Sequence, residues 1–340
     1  MYSVANIRGN MLMVFCYGLL AIGGVFGGEE EIELSELDER ILENNIEWRG
    51  LPLDDKSPEI DSREHGVSTI LGKRKTSCQC GIANRKAQSR IVGGREYSQF
   101  EYPFLALVSY STRPLSPHCG SVIITRQHIL TAAHCTEKAI NGVTLFVRVA
   151  EHDKGRTPGA YTVPVDRLIQ HENYDTNTLH NDISLLFLKV PLLMSGAVIP
   201  ACMPLPGLDV TGKYVRAVGY GATRFKGPPT QRPQKVDLRV IDTGLCYNMW
   251  PLNVIKHPKS QICTMNSKNS IKTTCQGDSG GPVVWLDPET NRYTIVGLVS
   301  AGPACNNAKP TVHTSVEKYL PWIMKGIQAT APSSMPCSKV

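Results

Sequence analysis

Several features are missing from this 340-residue sequence, and each absence narrows what it can be. No Asn-x-Ser/Thr triplet occurs, so no N-linked glycan is expected. No Cys-x-x-Cys pair is matched by a second Cys or His pair, which argues against a structural zinc site. No period of roughly 20 to 50 residues repeats, which argues against a solenoid. Lysine and arginine are scattered and no nucleic-acid motif accompanies them. The formal net charge of +6 therefore reads as a solvated surface, and no nucleic-acid partner is expected.

What is present is ordinary globular usage, 41% apolar and 19% charged, enough for a large core. The charge is uneven. Residues 1–90 hold 11 Lys+Arg against 14 Asp+Glu, while the remaining residues hold 25 against 16. The first 28 residues carry one base, Arg8, then an apolar run over 11–26, then Gly27 and Gly28, with Glu29, Glu30 and Glu31 following. That pattern predicts a cleaved signal peptide over residues 1–28. A retained membrane anchor is the competing reading, disfavoured because the run is interrupted by glycine and barely long enough to span a bilayer. Of the 11 cysteines, Cys16 falls in this segment, leaving ten. An even set suits disulfides in an oxidising compartment, so the protein is expected to be secreted.

Residues 29–90 read as a propeptide and activation connector. The stretch is acidic, poor in aromatics and broken by Pro and Gly, with a short helix-compatible piece over 32–42. Lys73, Arg74 and Lys75 then lead into CQCGIANRKAQSRIVGG, a polar, positively charged connector open to proteolysis. Beyond it the texture changes to short apolar or alternating runs at 104–109, 120–125, 143–149, 183–190, 214–219, 236–241 and 293–300. Turn residues separate the runs, which predicts an all-β domain. Near the end Leu320, Ile323 and Ile327 recur at helical spacing, with Pro321 placed for a first turn.

Three local motifs carry chemistry. Nucleophilic catalysis by serine needs a hydroxyl, a base to take its proton, a carboxylate to orient the base, and donors for the developing oxyanion. GDSGGP sets Ser279 among glycines that allow a tight turn and bring the amides of Gly277 and Ser279 toward one point. TAAHC presents His134 beside a cysteine, and HNDISLL presents Asp182 just before an apolar run.

With RIVGG, these motifs stand in an order that resembles the chymotrypsin and trypsin family from residue 91 to about residue 328. The resemblance implies two six-stranded antiparallel β-barrels of the chymotrypsin type with a C-terminal helix. It places a peptidase domain over 91–328 and a tail over 329–340. It makes Ser279 the nucleophile, His134 the general base and then acid, and Asp182 the buried orienter, with Ser300 supporting the aspartate, as in the mechanism worked out for this family. It also implies a switch: cleavage after Arg90 frees the α-amino group of Ile91, which buries itself against Asp278.

By the same resemblance Cys119 pairs with Cys135, Cys246 with Cys263, Cys275 with Cys305, and Cys80 with Cys202. Cys78 and Cys337 are left over, and exchanging Cys78 for Cys80 is equally allowed by arithmetic. Thr273 stands where trypsins carry an aspartate, Gly302 at the first pocket wall, and Thr311 in place of a usual glycine opposite. Ala301 and His313 replace usual aromatics. A shortened pocket taking small or medium apolar residues such as Ala, Val, Leu or Met is the implied preference. Glu151 only partly echoes the calcium loop of trypsins, so neither a metal nor another cofactor is expected.

The implied partners are protein or peptide substrates, an Arg-specific activating protease and protein inhibitors, with the enzyme a monomer not bound to membrane. Two other readings stay open, a trypsin-like processing protease of a zymogen cascade and a non-catalytic homologue acting as a binding protein. Thr273 argues against the first. The intact Ser279, His134 and Asp182 argue against the second.

Overall fold

The computed structural model describes residues 72–84, 95–112, 115–250, 257, 259–266, 273–302, 305 and 309–340. The expected signal peptide, most of the expected propeptide, and both Arg90 and Ile91 lie outside the described residues.

Thirteen antiparallel strands dominate what is described. β1 (Arg95–Glu96) is a short addition. Strands β2 (Leu105–Thr112), β3 (Leu115–Ile123), β4 (His128–Thr131), β5 (Phe146–Val149), β6 (Tyr161–Gln170) and β7 (Ser184–Leu188) close a first barrel in the order β2-β3-β4-β7-β6-β5. Strands β8 (Tyr214–Gly219), β9 (Gln234–Ile241), β10 (Gln261–Met265), β11 (Pro282–Asp287), β12 (Arg292–Ala301) and β13 (Thr311–Ser315) form the second. Its order is β8-β9-β10-β13-β12-β11, and β8 pairs with both β9 and β11, which closes it; β1 adds outside on β9. Among the described strands closure leaves no long free edge for another chain to pair with.

The first barrel is filled by Val108, Ile123, Ile129, Val147, Leu186 and Leu188. A second cluster runs between the barrels, with Leu130 and Leu185 from one meeting Ile295 and Leu298 from the other. Burying such side chains is worth about 1.5–3 kcal/mol each.

Seven strands follow the runs predicted from sequence. Five longer ones, β4, β6, β10, β11 and β13, are not among those runs. In β10 and β13 the cause is visible: Thr264, Thr311, His313 and Thr314 are buried although polar, so apolar alternation is broken where the strand is inside.

Three α-helices are described: α1 (Glu137–Ile140), α2 (Thr243–Asn248) and α3 (Leu320–Thr330). Asp242 caps α2 by accepting from the amides of Gly244 and Leu245. In α3 the proline sits in the first turn and Ile323 and Ile327 are fully buried, as the spacing predicts. The helix runs to Thr330, past residue 328. It packs on the first barrel through Gly326, where a Cβ would lie 2.6 Å from Leu185 Cδ2. The buried ring of His128 completes the joint, bonded to Thr125 Oγ1 at 2.7 Å and Thr330 Oγ1 at 2.8 Å.

The last residues return to the segment that precedes residue 91. Thr76 bridges Lys339, Met203 bridges Ser338, and the Lys339 ammonium reaches Asp287 at 3.2 Å and Glu289 at 2.6 Å. Among the described residues no helix is long and apolar enough to cross a membrane.

Candidate active site

Asp182 enters the protein through a strained turn. Leu179 and Asn181 have φ of +51° and +57°, and the Asn181 side chain is held by the Asn173 carbonyl and the Tyr319 hydroxyl. The turn drives Asp182 to 1% exposure just ahead of β7. A buried carboxylate must find donors. Oδ1 accepts the His134 amide at 3.0 Å, while Oδ2 accepts His134 Nδ1–H at 2.9 Å and the Ser300 hydroxyl at 2.6 Å. The Thr314 hydroxyl donates to the Asp182 carbonyl at 2.8 Å. Since an ionised carboxylate only accepts, Nδ1 carries the ring proton and Nε2 keeps a basic lone pair.

His134 rides on a one-turn 3₁₀ helix, Ala133–Cys135, directly after β4. The Cys119–Cys135 disulfide ties that turn to β3. The Thr136 hydroxyl and the Gln170 amide both donate to the Ala133 carbonyl. Burial opposes protonation of the ring, but the bond to Asp182 and the charges of Asp182 and Glu137 outweigh it, so its pKa is raised above the ordinary histidine value.

Ser279 is held against the same strand region. Its carbonyl accepts the Gly120 amide at 2.8 Å, and the next amide, of Gly280, donates to Val299 O at 2.7 Å. Gly280 has φ +70°, and a Cβ there would lie 2.2 Å from Thr131 Oγ1 and 3.0 Å from the Ala132 amide. Only glycine lets the loop approach the end of β4, the strand that leads to His134. The loop's amides at Gly277 and Ser279 donate to no other group among the described residues, so both can serve an oxyanion. Gly277 itself has φ +95°. No hydrogen bond joins the Ser279 hydroxyl to the His134 ring among the described residues; such bonds often tighten only when substrate is bound.

Between these two residues Asp278 turns inward. Its carboxylate accepts from the amides of Gly221 at 2.8 Å and Cys275 at 3.0 Å. Burial pushes its pKa up to about 6, against the two amide bonds and the charge of Lys154. Asp278 borders a cavity of about 150 Å³, lined also by Gly219, Gly221, Lys235 and Thr273. Among the described residues no ammonium stands within ion-pairing distance of Asp278, and a buried carboxylate that is to stay charged needs such a partner.

The residues expected to line the substrate pocket also meet. Thr273 Oγ1 and Thr311 Oγ1 are 2.9 Å apart, and a Cβ at Gly302 would sit 3.2 Å from Thr311 Cγ2, so Thr311 bonds across to Thr273 and lies over the glycine wall. His313, without exposed surface, bonds through Nε2 to Thr264 Oγ1 at 2.7 Å. Burial holds its pKa down to about 3, so it is neutral at physiological pH.

Among the described residues there are five disulfides: Cys119–Cys135, Cys246–Cys263, Cys275–Cys305, Cys80–Cys202 and Cys78–Cys337. The alternative left open by counting is thereby decided in favour of Cys80 with Cys202. Cys119, His134 and Cys135 bring three ligand-type atoms together, but the two sulfurs are joined to each other and offer no thiolate. Glu151 is engaged by Arg148 and by the amides of His152 and Gly155.

Thr314, Thr136, Gln170 and Thr264 were not singled out from sequence. Each acts through a fold-dependent contact, and isolated threonine or glutamine residues give no local signal.

Comparison with known proteins agrees with the geometry. The family model described as trypsin matches residues 91–323. A venom serine protease of Polistes dominula is 32% identical over 267 residues, covering 75% of this chain and 91% of that protein. Venom serine protease 34 of Apis mellifera is 33% identical over 261 residues, covering 74% of this chain and 61% of that protein. Serine protease filzig of Drosophila melanogaster is 32% identical over 264 residues, covering 74% of this chain and 15% of that protein. The chain thus spans most of the first relative and less than two thirds of the other two.

Proposed function

The chain belongs to the trypsin family of serine proteases, and on that premise we propose that it is a secreted serine endopeptidase, activated by cleavage after Arg90. The observation that carries the proposal is the chain of bonds from Ser300 through Asp182 to His134, with the Ser279 loop pressed against the strand before His134. Substrate binding brings the Ser279 hydroxyl to His134 Nε2. The ring takes the proton as Oγ attacks the scissile carbonyl, and the amides of Gly277 and Ser279 receive the oxyanion. Asp182 stabilises the imidazolium without taking its proton, and that proton passes to the leaving amine. Water, deprotonated in turn by His134, then releases the acyl group.

Activation uses Asp278. Cutting after Arg90 releases an ammonium at Ile91, and the cavity bordered by Asp278 is where that cation meets the raised carboxylate. The new pair fixes the loop that offers the oxyanion amides. The substrate pocket, closed at its base by Thr273 and Thr311, favours small or medium apolar residues before the scissile bond. Protein or peptide substrates, an Arg-specific activating protease and protein inhibitors are the partners this reading implies, with the enzyme a monomer outside the cell.

A panel of chromogenic peptides on chain cut at Arg90 tests the reading. Release after Ala, Val or Leu supports it, and release after Arg would replace it by a trypsin-like processing enzyme. No release from any peptide, together with an unchanged rate for Ser279→Ala, would make the protein a non-catalytic homologue.

A further inference from the structure

Lys154 is a half-buried cation that the proposed chemistry does not use. Its backbone is fixed: its amide donates to Gln231 O at 3.2 Å, and Gln231 Nε2 donates back to its carbonyl at 2.7 Å. The Tyr220 hydroxyl donates to the carbonyls of Glu151 at 2.9 Å and His152 at 3.3 Å, which ties the loop ahead of Lys154 to the same place. The Lys154 ammonium then lies 4.9 Å from the centre of the Tyr220 ring. Among the described residues no carboxylate stands within ion-pairing distance of it.

Tyr220 lies between the two glycines that pack on Asp278. A Cβ at Gly219 would fall 2.2 Å from Asp278 Oδ1, and one at Gly221 would fall 2.3 Å from Oδ2. The ammonium and the carboxylate therefore both lie against one short, buried segment, residues 219–221. Burial lowers the lysine's affinity for a proton, against the charges of Asp278 and Glu151. Through a segment that excludes water the attraction is screened far less than at a surface.

We propose that Lys154 is a positioning residue that partners Asp278 across Tyr220 before the chain is cut, biasing residues 275–279 toward the shape that presents the Gly277 and Ser279 amides. The inference rests on the serine-protease reading and adds that the uncut chain is not silent. Before the cut Lys154 supplies, at a distance, part of the positive charge that the Ile91 ammonium supplies afterwards.

The test uses the full chain carrying Arg90→Gln, which stays uncut, with and without Lys154→Met or Lys154→Arg. The rate of Ser279 labelling by diisopropyl fluorophosphate is measured against pH, and the same lysine variants are measured in chain cut at Arg90. In the uncut chain Lys154→Met is expected to slow labelling by about tenfold and to move the acid limb of the profile to higher pH, as the carboxylate becomes harder to ionise. Lys154→Arg is expected to hold close to the parent. In the cut chain Lys154→Met is expected to change the rate by less than about twofold, because a nearer ammonium faces Asp278.

An unlabelled uncut chain beside a reactive cut one overturns the inference. So does an uncut chain indifferent to Lys154→Met, or an equal loss in both forms, which would mark a purely structural role. A chain that is inert both before and after the cut sinks the protease reading itself, and this inference with it.

Discussion

The Ser300 hydroxyl lies 2.6 Å from Oδ2 of Asp182, on the same oxygen that takes the His134 ring at 2.9 Å. Asp182 belongs to the first barrel and Ser300 to β12 of the second, so this bond ties the orientation of the imidazole to how the barrels pack. A hydrogen bond to a charged group is worth about 1.5–3 kcal/mol. Ser300→Ala is therefore expected to lower kcat/KM by roughly ten- to a hundredfold with little change in KM. Steady-state kinetics on the cut enzyme check this, and an unaltered kcat would show that the bond does nothing in the reaction.

The raised pKa of His134 sets the acid limb of the pH-rate profile. The base must be neutral, so kcat/KM rises with pH through a midpoint above the ordinary histidine value. Glu137→Gln removes one of the charges holding that pKa up and is expected to shift the midpoint to lower pH. A pH-rate profile for both forms is the measurement.

His128 gives an acid liability of opposite sign. Its pKa, held down to about 4 by burial, lies below the ordinary value, so the folded chain refuses a proton that the unfolded chain accepts. The resulting stability is complete above about pH 6.5 and is lost as pH falls through about 4. His128→Asn keeps a polar bridge between Thr125 and Thr330 without titrating, and should flatten that part of the curve of melting temperature against pH.

Gly221 has no room for a side chain, since a Cβ would lie 2.4 Å from Asp278 Cγ. Gly221→Ala should push the carboxylate aside and cost the cut enzyme at least about tenfold in kcat, the scale set by losing a well-placed oxyanion donor. A variant that melts with the parent and keeps full kcat would show that Asp278 need not stay where it is.

Thr311→Gly should open the pocket over Gly302 and shift preference toward larger residues. A change of about 1–3 kcal/mol in relative kcat/KM for Phe over Ala peptides is the expected size. Unchanged selectivity would move the limit to another wall.

Cleavage at Arg90 is expected to leave the cut segment attached through Cys80–Cys202 and Cys78–Cys337. One band on a non-reducing gel and two on a reducing gel would register this. The paired replacement Cys80→Ser with Cys78→Ser should release the fragment without reduction.

Much of the site was legible in the chain because its motifs are local. GDSGGP, TAAHC and DISLL each impose their own turn or strand entrance, and the glycines at 277 and 280 do adopt positive φ. What was not legible acts across the fold. Thr314, Gln170 and Lys154 reach the site from residues remote in sequence, and β10 and β13 hide buried threonines and a neutral histidine in what reads as polar chain.

The sequence by itself determined the chemistry on offer: a hydroxyl among glycines, an imidazole beside a cysteine, an aspartate ahead of an apolar strand, and a helix written in the spacing of Leu320, Ile323 and Ile327. Only the tertiary structure decided which cysteine of the pair 78 and 80 meets Cys202. It alone showed that Thr311 bonds to Thr273, that Asp278 faces a void and that Lys154 lies over the Tyr220 ring. The reason is physical. Turns and helices are set by neighbours along the chain, whereas pairing, pocket shape and the strength of a buried charge depend on which distant groups exclude water together.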